Sequence, residues 1–546
     1  MSASYPLPHR VMFGGGQLKP LTESASPASP ELTAASPITA ANRSQPCWLT
    51  DDLLLHYQRC ARRTYLDLNR DRALADPPSD YLQKIKQDSA EHRHSILADY
   101  APLHRPQYPR GDWRSGAQTT ATLMADGVDY IAGGVLINTL EQDVYWVSCP
   151  DLLIKQPGWS LWGDWQYAPI DIKLGKKPKL DYQIVAAFHA YVLAQVQGNW
   201  PTESWLALRE GRYYSVELDR QLPKLGEVLT ACLEDLRGEA APEVFIAHSR
   251  CDLCHWFSQC YQSAQETQHL SLLPGVTPAR YTHLQSLALT TVADLAQARP
   301  AQLAYLPGFG DTVAAKLIHQ AQAALYNRAI ARTPASKPEG FVLAPADLPS
   351  AEVELYFDIE AAPDFDLIYL HGVLVVDHRT QTEQFHPLLA EAVDQEGTAW
   401  EQFIELVLQY PQAPIYHFCP YEAQTARKLT EHYGSLGSAE LENLLARFVD
   451  IHWCITEGVT LPVESYALKH IARWIGFEWR DSEANGAQSI CWYNEWLATG
   501  DRTYLEAILR YNEDDCRATY YVKRWLAEFA QPYWQATVPS RLIVSA

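Results

Sequence analysis

Apolar and polar positions alternate between two periods along the chain. From Trp48 the pattern repeats every three to four residues and predicts a helix over DDLLLHYQRCARRTYLDL, capped by Thr50 or Asp51. The stretches GVDYIAGGVLI, DVYWVSCPDLLIK and WQYAPIDIKLG are β-rich and predict strands. LDYQIVAAFHAYVLAQVQG then predicts a helix stopped by Gly198, and SWLALREGRYYSVELD a hairpin turning near Glu210 and Gly211. This order describes an α/β domain over 47–265. Residues 266–330 read as helical, with LPGV at 273–276 and LPGF at 306–309. A linker is expected over 331–350, where Pro334, Pro338, Pro345 and Pro349 stand in a polar setting. A second α/β unit over 351–546 opens with the strands VELYFDIEAA, LIYLHGVLVVD and APIYHFC. Helices follow at YEAQTARKLTEHYG, SYALKHIARWIGF and YLEAILRYNEDDCRATYYVKRWLAEFA.

Composition narrows the class. The 546 residues allow three or four domains at roughly 150 residues each. Residues 1–46 hold seven Pro, seven Ser and seven Ala with few large apolar residues, so they are expected to be disordered. No apolar run reaches the ~18 residues of a membrane span, and the start MSASYPLPHR has no basic head before an apolar stretch. The expectation is a cytoplasmic protein with no membrane partner. The net charge of −21 has the wrong sign for a general polyanion binder, but a local basic track or a bound cation can invert the field. Eleven cysteines in so long a chain do not make a disulfide scaffold; clustered ones point to metal.

Three constellations carry chemistry. The first is Asp171-Ile172-Lys173 on a predicted strand, where the alternation puts Asp171 and Lys173 on one side. Asp151 ends the preceding strand-like stretch and would meet Asp171 across a hairpin. Two carboxylates with a lysine suit Mg²⁺ or Mn²⁺. Lys176, Lys177 and Lys179 form a basic run placed to contact a phosphate backbone. By itself an Asp-x-Lys strand is common, and a solvated edge strand explains it. Together, CPDLL, PIDIK and the following helix resemble the PD-(D/E)xK nuclease family, closest to its RecB-like exonucleases. That resemblance implies a restriction-endonuclease-like fold and a metal-binding histidine upstream, for which His92 fits better than His94. The family's Gln-x-x-x-Tyr is incomplete here: Gln183 stands near the expected place, with no tyrosine four residues on and His189 nearby.

The second is C-x₂-C-x₅-C at Cys251, Cys254 and Cys260, with Cys60 far upstream. Four thiolates hold either an iron–sulfur cluster or Zn²⁺. One early and three late cysteines resemble the iron–sulfur nucleases of the RecB-like group. The resemblance implies a 4Fe-4S cluster that ties the two ends of the domain together, with zinc as the alternative.

The third joins Asp358 and Glu360, two apart on an apolar strand, to Tyr511 and Asp515, four apart on a helix and so on one face. Glu422 opens another helix after a predicted strand. This set resembles the DEDD exonucleases of the RNase H-like fold, in their tyrosine-bearing subtype. The resemblance implies two divalent metals held by Asp358, Glu360, Glu422 and Asp515, with Tyr511 orienting the attacking water. Where the family has Asp, often after Asn-x-x-Phe, this chain has His417-Phe418-Cys419-Pro420-Tyr421-Glu422. Between the domains, residues 266–330 resemble tandem helix-hairpin-helix motifs, in which Gly308 and Gly310 would present backbone N–H groups to a DNA phosphate. A plain helical spacer fits that segment equally.

The whole resembles bacterial RecB-like nucleases carrying a C-terminal exonuclease domain. It implies metal-dependent hydrolysis of DNA, as an exonuclease acting on single strands or DNA ends, in repair or defence. Two other readings stay open: only the C-terminal site works, or the chain is a non-catalytic nucleic-acid-binding scaffold.

Overall fold

A computed structural model describes residues 47–141, 144–238, 240–333 and 342–536. The expected disordered tail and the centre of the expected linker lie outside the described residues. The chain divides into two units. One comprises residues up to Val244 with His248–Cys260; the other comprises Phe245–Ala247 with the residues from Tyr261 onward. Both are mixed α/β, and no helix among the described residues is long and apolar enough to cross a membrane.

In the first unit, Thr50 caps α1 (Asp51–Arg59) by accepting from the Leu53 N–H. The predicted single helix is two, because the backbone turns extended at Cys60 before α2 (Ala61–Asn69). After α3 (Asp80–Ala98) comes a six-stranded sheet: β1 (Leu103–His104), β2 (Tyr130–Ala132), β3 (Leu152–Ser160), β4 (Gly163–Ile172), β5 (Trp205–Leu208) and β6 (Arg212–Ser215), in sequence order. β3 and β4 are antiparallel, whereas β4 and β5 are parallel and joined by α4 (Leu180–Gln197). Such a crossover needs a helix, and here the helix is apolar nearly all round because it is buried. Alternation sorts β4. Ile170 and Ile172 pack with Ile96 and Leu97 of α3, whereas Tyr167 on the other face packs with Ile184 and Phe188 of α4.

The second unit begins with short helices and α5 (Gly310–Tyr326) around a core of Leu270, Leu284, Leu295, Leu303 and Leu317. A five-stranded sheet follows, built from β7 (Val353–Ala362), β8 (Leu367–Asp377), β9 (Thr382–Leu389), β10 (Ile415–His417) and β11 (Phe448–Asp450). Its order is β9-β8-β7-β10-β11. The first three strands are antiparallel and the last two run parallel to β7. Period-two alternation again decides the faces. Leu355, Phe357 and Ile359 point at α6 (Glu396–Leu408), through Trp400, Phe403 and Ile404. Tyr356 points the other way, into the core that holds Cys516, Ala518 and Val522 of α9 (Arg502–Ala536), the helix after α8 (Gly486–Thr499). Asp358 and Glu360 share the Tyr356 face and therefore look at α9.

Candidate functional sites

Pairing of Asp358 with Gly372 of β8 places the first acid opposite a residue without a side chain, and a β-bulge follows Glu360. That gap matters. A Cβ on Gly372 would lie 1.6 Å from the Asn512 amide oxygen, so only glycine lets α9 approach this closely. The helix brings Asp515 to the strand, and ligand oxygens of Asp358, Glu360 and Asp515 lie within 4.8 Å of one another. Among the described residues this is the one group of three or more His, Cys, Asp or Glu so arranged.

Each acid has a neutral donor. Asn512 Nδ2 donates to Asp358 at 2.7 Å, Ser489 Oγ to Glu360 at 2.7 Å and Trp479 Nε1 to Asp515 at 2.7 Å. Burial and mutual repulsion then act together. Asp358 is pushed well above the carboxylate range by burial and by Asp515, Glu360 and Glu422. Burial and Asp515 push Glu360 up to about 8, and burial pushes Asp515 up to about 7 despite the Trp479 and Tyr511 contacts. The three titrate as a set. Tyr511 contacts Asp515, and burial with the nearby carboxylates pushes its phenol far above the usual range. It therefore stays protonated and serves as a donor, not a base. The next acids on the helix are elsewhere: Glu513 and Asp514 pair with Arg480 at 2.9 and 2.8 Å. Glu422, in the first turn of α7 (Tyr421–Tyr433), is within electrostatic reach of Asp358 but outside the close group, 3.4 Å from His417 Nδ1.

The other acidic pair has a different environment. The β3–β4 register sets Leu152 against Ile170 at the end of the ladder, which brings the neighbouring Asp151 and Asp171 within electrostatic reach of each other. Asp151 Oδ2 accepts the Ile172 N–H at 2.7 Å, and its Oδ1 lies 2.6 Å from Arg93 Nε. Asp171 lies 2.9 Å from Lys173 Nζ. Burial and Asp171 raise Asp151 to about 6, against the pull of Arg93 and Lys173. His189 is fully buried, bonds Ser148 Oγ through Nδ1 at 2.7 Å, and turns Nε2 toward Asp171 at 3.9 Å. Burial brings its pKa to about 3, so it is a neutral ring. His92, on α3, touches the Lys173 main chain, and burial lowers its pKa. Sequence reasoning missed Asp51, held well above the carboxylate range by burial, Asp52 and Asp171, and accepting the Cys149 N–H at 3.1 Å. Its role as a helix-start residue hid it. Arg93 was also missed, and no motif signals it. Protein cations thus stand on both carboxylates, Arg93 on Asp151 and Lys173 on Asp171, with Asp51 as a further acid nearby.

The basic run is partly engaged: Lys176 pairs with Glu210 at 2.7 Å, and Lys179 lies 5.8 Å from the Tyr182 ring centre. Lys177 accepts the Lys179 N–H through its carbonyl. Gln183 bonds the Pro178 carbonyl and Gln221, away from the acids.

Cys60 caps α2, Cys251 ends a one-turn helix, and Cys260 lies in the first turn of Phe257–Glu266. Cys254 interacts electrostatically with Cys60 and Cys251, and Cys260 with Cys60, so all four thiols gather in one region. Burial pushes Cys254 up to about 11, opposed by the Trp256 N–H and Arg63; burial also raises Cys260, opposed by Arg62. Buried Asp67 anchors the cysteine loop through His255 Nε2 at 2.6 Å and Trp256 Nε1 at 2.9 Å.

At the start of α5, Gly308 before it and Gly310 as its first residue take φ of +78° and +64° with open space where a Cβ would stand. The Gly310 N–H donates to Ala304 O, and Gly308 O accepts from Arg280.

Compared with known families, residues 355–527 match the model of the RNase_H superfamily. The match covers about a third of the chain and contains Asp358, Glu360, Glu422, Tyr511 and Asp515. The second unit thus holds an RNase H-like domain, a fold of nucleases that act on nucleic acid. No curated protein matches the chain.

Proposed function

We propose that the chain is a metal-dependent nuclease whose working site is the Asp358, Glu360 and Asp515 group, with DNA strands or ends as substrate. The observation that carries this reading is the convergence of three carboxylates within 4.8 Å with no lysine or arginine among the described residues pairing them. Three acids so placed repel, and divalent cations relieve the repulsion. Bound there, Mg²⁺ or Mn²⁺ would neutralise the phosphodiester and stabilise both entering and leaving oxygens. Asp358, Glu360 and Asp515 hold the ions, and Glu422 adds a fourth carboxylate at the edge. Tyr511, protonated and in contact with Asp515, would orient the attacking water.

In the first unit, Asp151, Asp171 and Lys173 with His92 form a RecB-like second site that becomes a metal site only after Arg93 leaves Asp151. Lys176, Lys177 and Lys179, with the Gly308–Gly310 hairpin, contribute to nucleic-acid binding. Cys60, Cys251, Cys254 and Cys260 hold a 4Fe-4S cluster that clamps distant parts of the unit. The gathering of all four thiols in one region of the unit supports the cluster, and Arg63 and Arg62 beside them oppose part of the rise that burial imposes on Cys254 and Cys260. Anaerobically purified protein should be brown; colourless protein with stoichiometric zinc refutes the iron assignment.

The deciding experiment is digestion of labelled single- and double-stranded DNA, and of RNA, with Mg²⁺ or Mn²⁺, comparing Asp358→Ala with Asp171→Ala. Loss with Asp358→Ala alone supports the C-terminal site. Loss with both substitutions supports two sites. No cleavage by the unaltered protein, with retained binding, supports the scaffold reading.

A further inference from the structure

We infer that Trp479, Ser489 and Asn512 are positioning residues, each fixing one oxygen of a metal-binding carboxylate with a neutral donor and leaving that carboxylate's full charge for the metal. The inference rests on the proposed metal site and deepens it. The three contacts have one form: Asn512 Nδ2 to Asp358 Oδ2, Ser489 Oγ to Glu360 Oε2 and Trp479 Nε1 to Asp515 Oδ1, all at 2.7 Å. A neutral N–H or O–H orients a carboxylate without cancelling its charge; a guanidinium or ammonium would do both.

The donors are themselves held. Asn512 sits in the space that Gly372 leaves, and Ser489 bonds the buried Tyr369 hydroxyl at 2.8 Å. Trp479 is buried, with Lys469 Nζ 5.7 Å from its ring centre. Lys469 is the nearby cation, and its ammonium donates to the carbonyls of Ser482 and Ala484, not to Asp515. The same strand supplies the contrast. Glu354, four residues before Asp358 and on its face, is neutralised by Lys523 Nζ at 2.6 Å. So the fold does place a lysine on a buried acid where no metal is wanted. Indole is the sharpest of the three donors, since it donates and cannot accept.

The test is Mn²⁺ binding to the full chain, read from the loss of the free-ion electron-spin-resonance signal, for wild type, Trp479→Phe, Ser489→Ala, Asp515→Asn and the control Trp474→Phe. Trp474, at the end of the helix Leu468–Trp474, packs on Trp525 of the helix that carries Asp515 and donates to Asn327 instead of a carboxylate. Melting in EDTA establishes that each variant is folded. Outer partners of metal ligands typically change affinity by about 10–100-fold. The expected result is therefore Mn²⁺ affinity at least about tenfold weaker in Trp479→Phe and Ser489→Ala, with Trp474→Phe within about twofold of wild type. Wild-type affinity in both positioning variants, while Asp515→Asn abolishes binding, overturns the inference and leaves the metal site standing. Wild-type protein with no Mn²⁺ binding that Asp515→Asn removes overturns the metal site itself. Should Trp479→Phe fail to fold, Ser489→Ala decides.

Discussion

Two strands in this chain each carry an acid at one position and a second charged residue two further on, yet their surroundings are opposite. Asp171 of β4 faces Lys173, and its partner Asp151 faces Arg93. Asp358 and Glu360 of β7 face Asp515, an asparagine, a serine and a tryptophan. The first arrangement contains its own counter-charges. In the second, no lysine or arginine among the described residues pairs with the acids, Lys469 acting on Asp515 only from a distance, and the site is stable when folded because its acids hold protons until a cation replaces them. A carboxylate cluster is thus a cation site in proportion to the charge its protein neighbours leave uncancelled.

The largest effect should come from the uncompensated cluster. Asp358→Asn or Asp515→Asn should lower cleavage by about 10³-fold or more, since each removes a charge that the metal requires. Gel assays of labelled substrate check this; unchanged cleavage would move the active site elsewhere. Next, Lys523→Met isolates the internal contrast on β7. Breaking a pair buried this deeply leaves the Glu354 charge without its lysine, held only by Tyr356, Ser350 and His378, a loss of about 3–5 kcal/mol in urea unfolding. Glu354→Gln with Lys523→Met together should recover much of it.

Acidity sharpens the comparison further. Glu360 and Asp515 are raised to about 8 and about 7, above their values in an unfolded chain. The native state therefore binds more protons than the unfolded one between about pH 4.5 and 8. The stability that these two groups contribute to the metal-free protein is full below that window and is lost as pH rises through it. Mn²⁺ displaces those protons, so the gap between melting temperatures in Mn²⁺ and in EDTA should widen from pH 6 to pH 8.5. A gap that narrows would contradict the cluster's shared protonation. The smallest effect is expected from Arg93→Gln. Arg93 is part-exposed, so melting should shift by only a few degrees, while Asp151 and Asp171 gain weak Mn²⁺ binding detectable on an Asp358→Asn background.

Much of this was legible in the residues. Two-residue alternation placed Asp358 with Glu360 and Asp171 with Lys173, and the four-residue helical step placed Tyr511 over Asp515. Spacing also separated Asp515 from Asp514, which turns to Arg480. The expected hairpin turn at Glu210 and Gly211 appears with both residues at positive φ. The helix drawn across Cys60 does not run through, since its backbone is extended there. What stayed hidden arrives from far along the chain. Arg93 is one residue past His92, but its partner lies on another strand, and nothing local announces the pairing. Trp479 and Ser489 belong to no motif around Asp515 or Glu360; only folding brings their donors to those oxygens. Asp51 was visible as a residue at the start of a helix, and that sufficient explanation concealed its proximity to Asp171.

One titration goes to the centre of the account: Mn²⁺ binding by Asp358→Asn and by Asp171→Asn, side by side with unaltered protein. Binding lost in the first and kept in the second is the expected result. Binding kept in the first and lost in the second would show that internal counter-charge does not decide where this protein takes its metal.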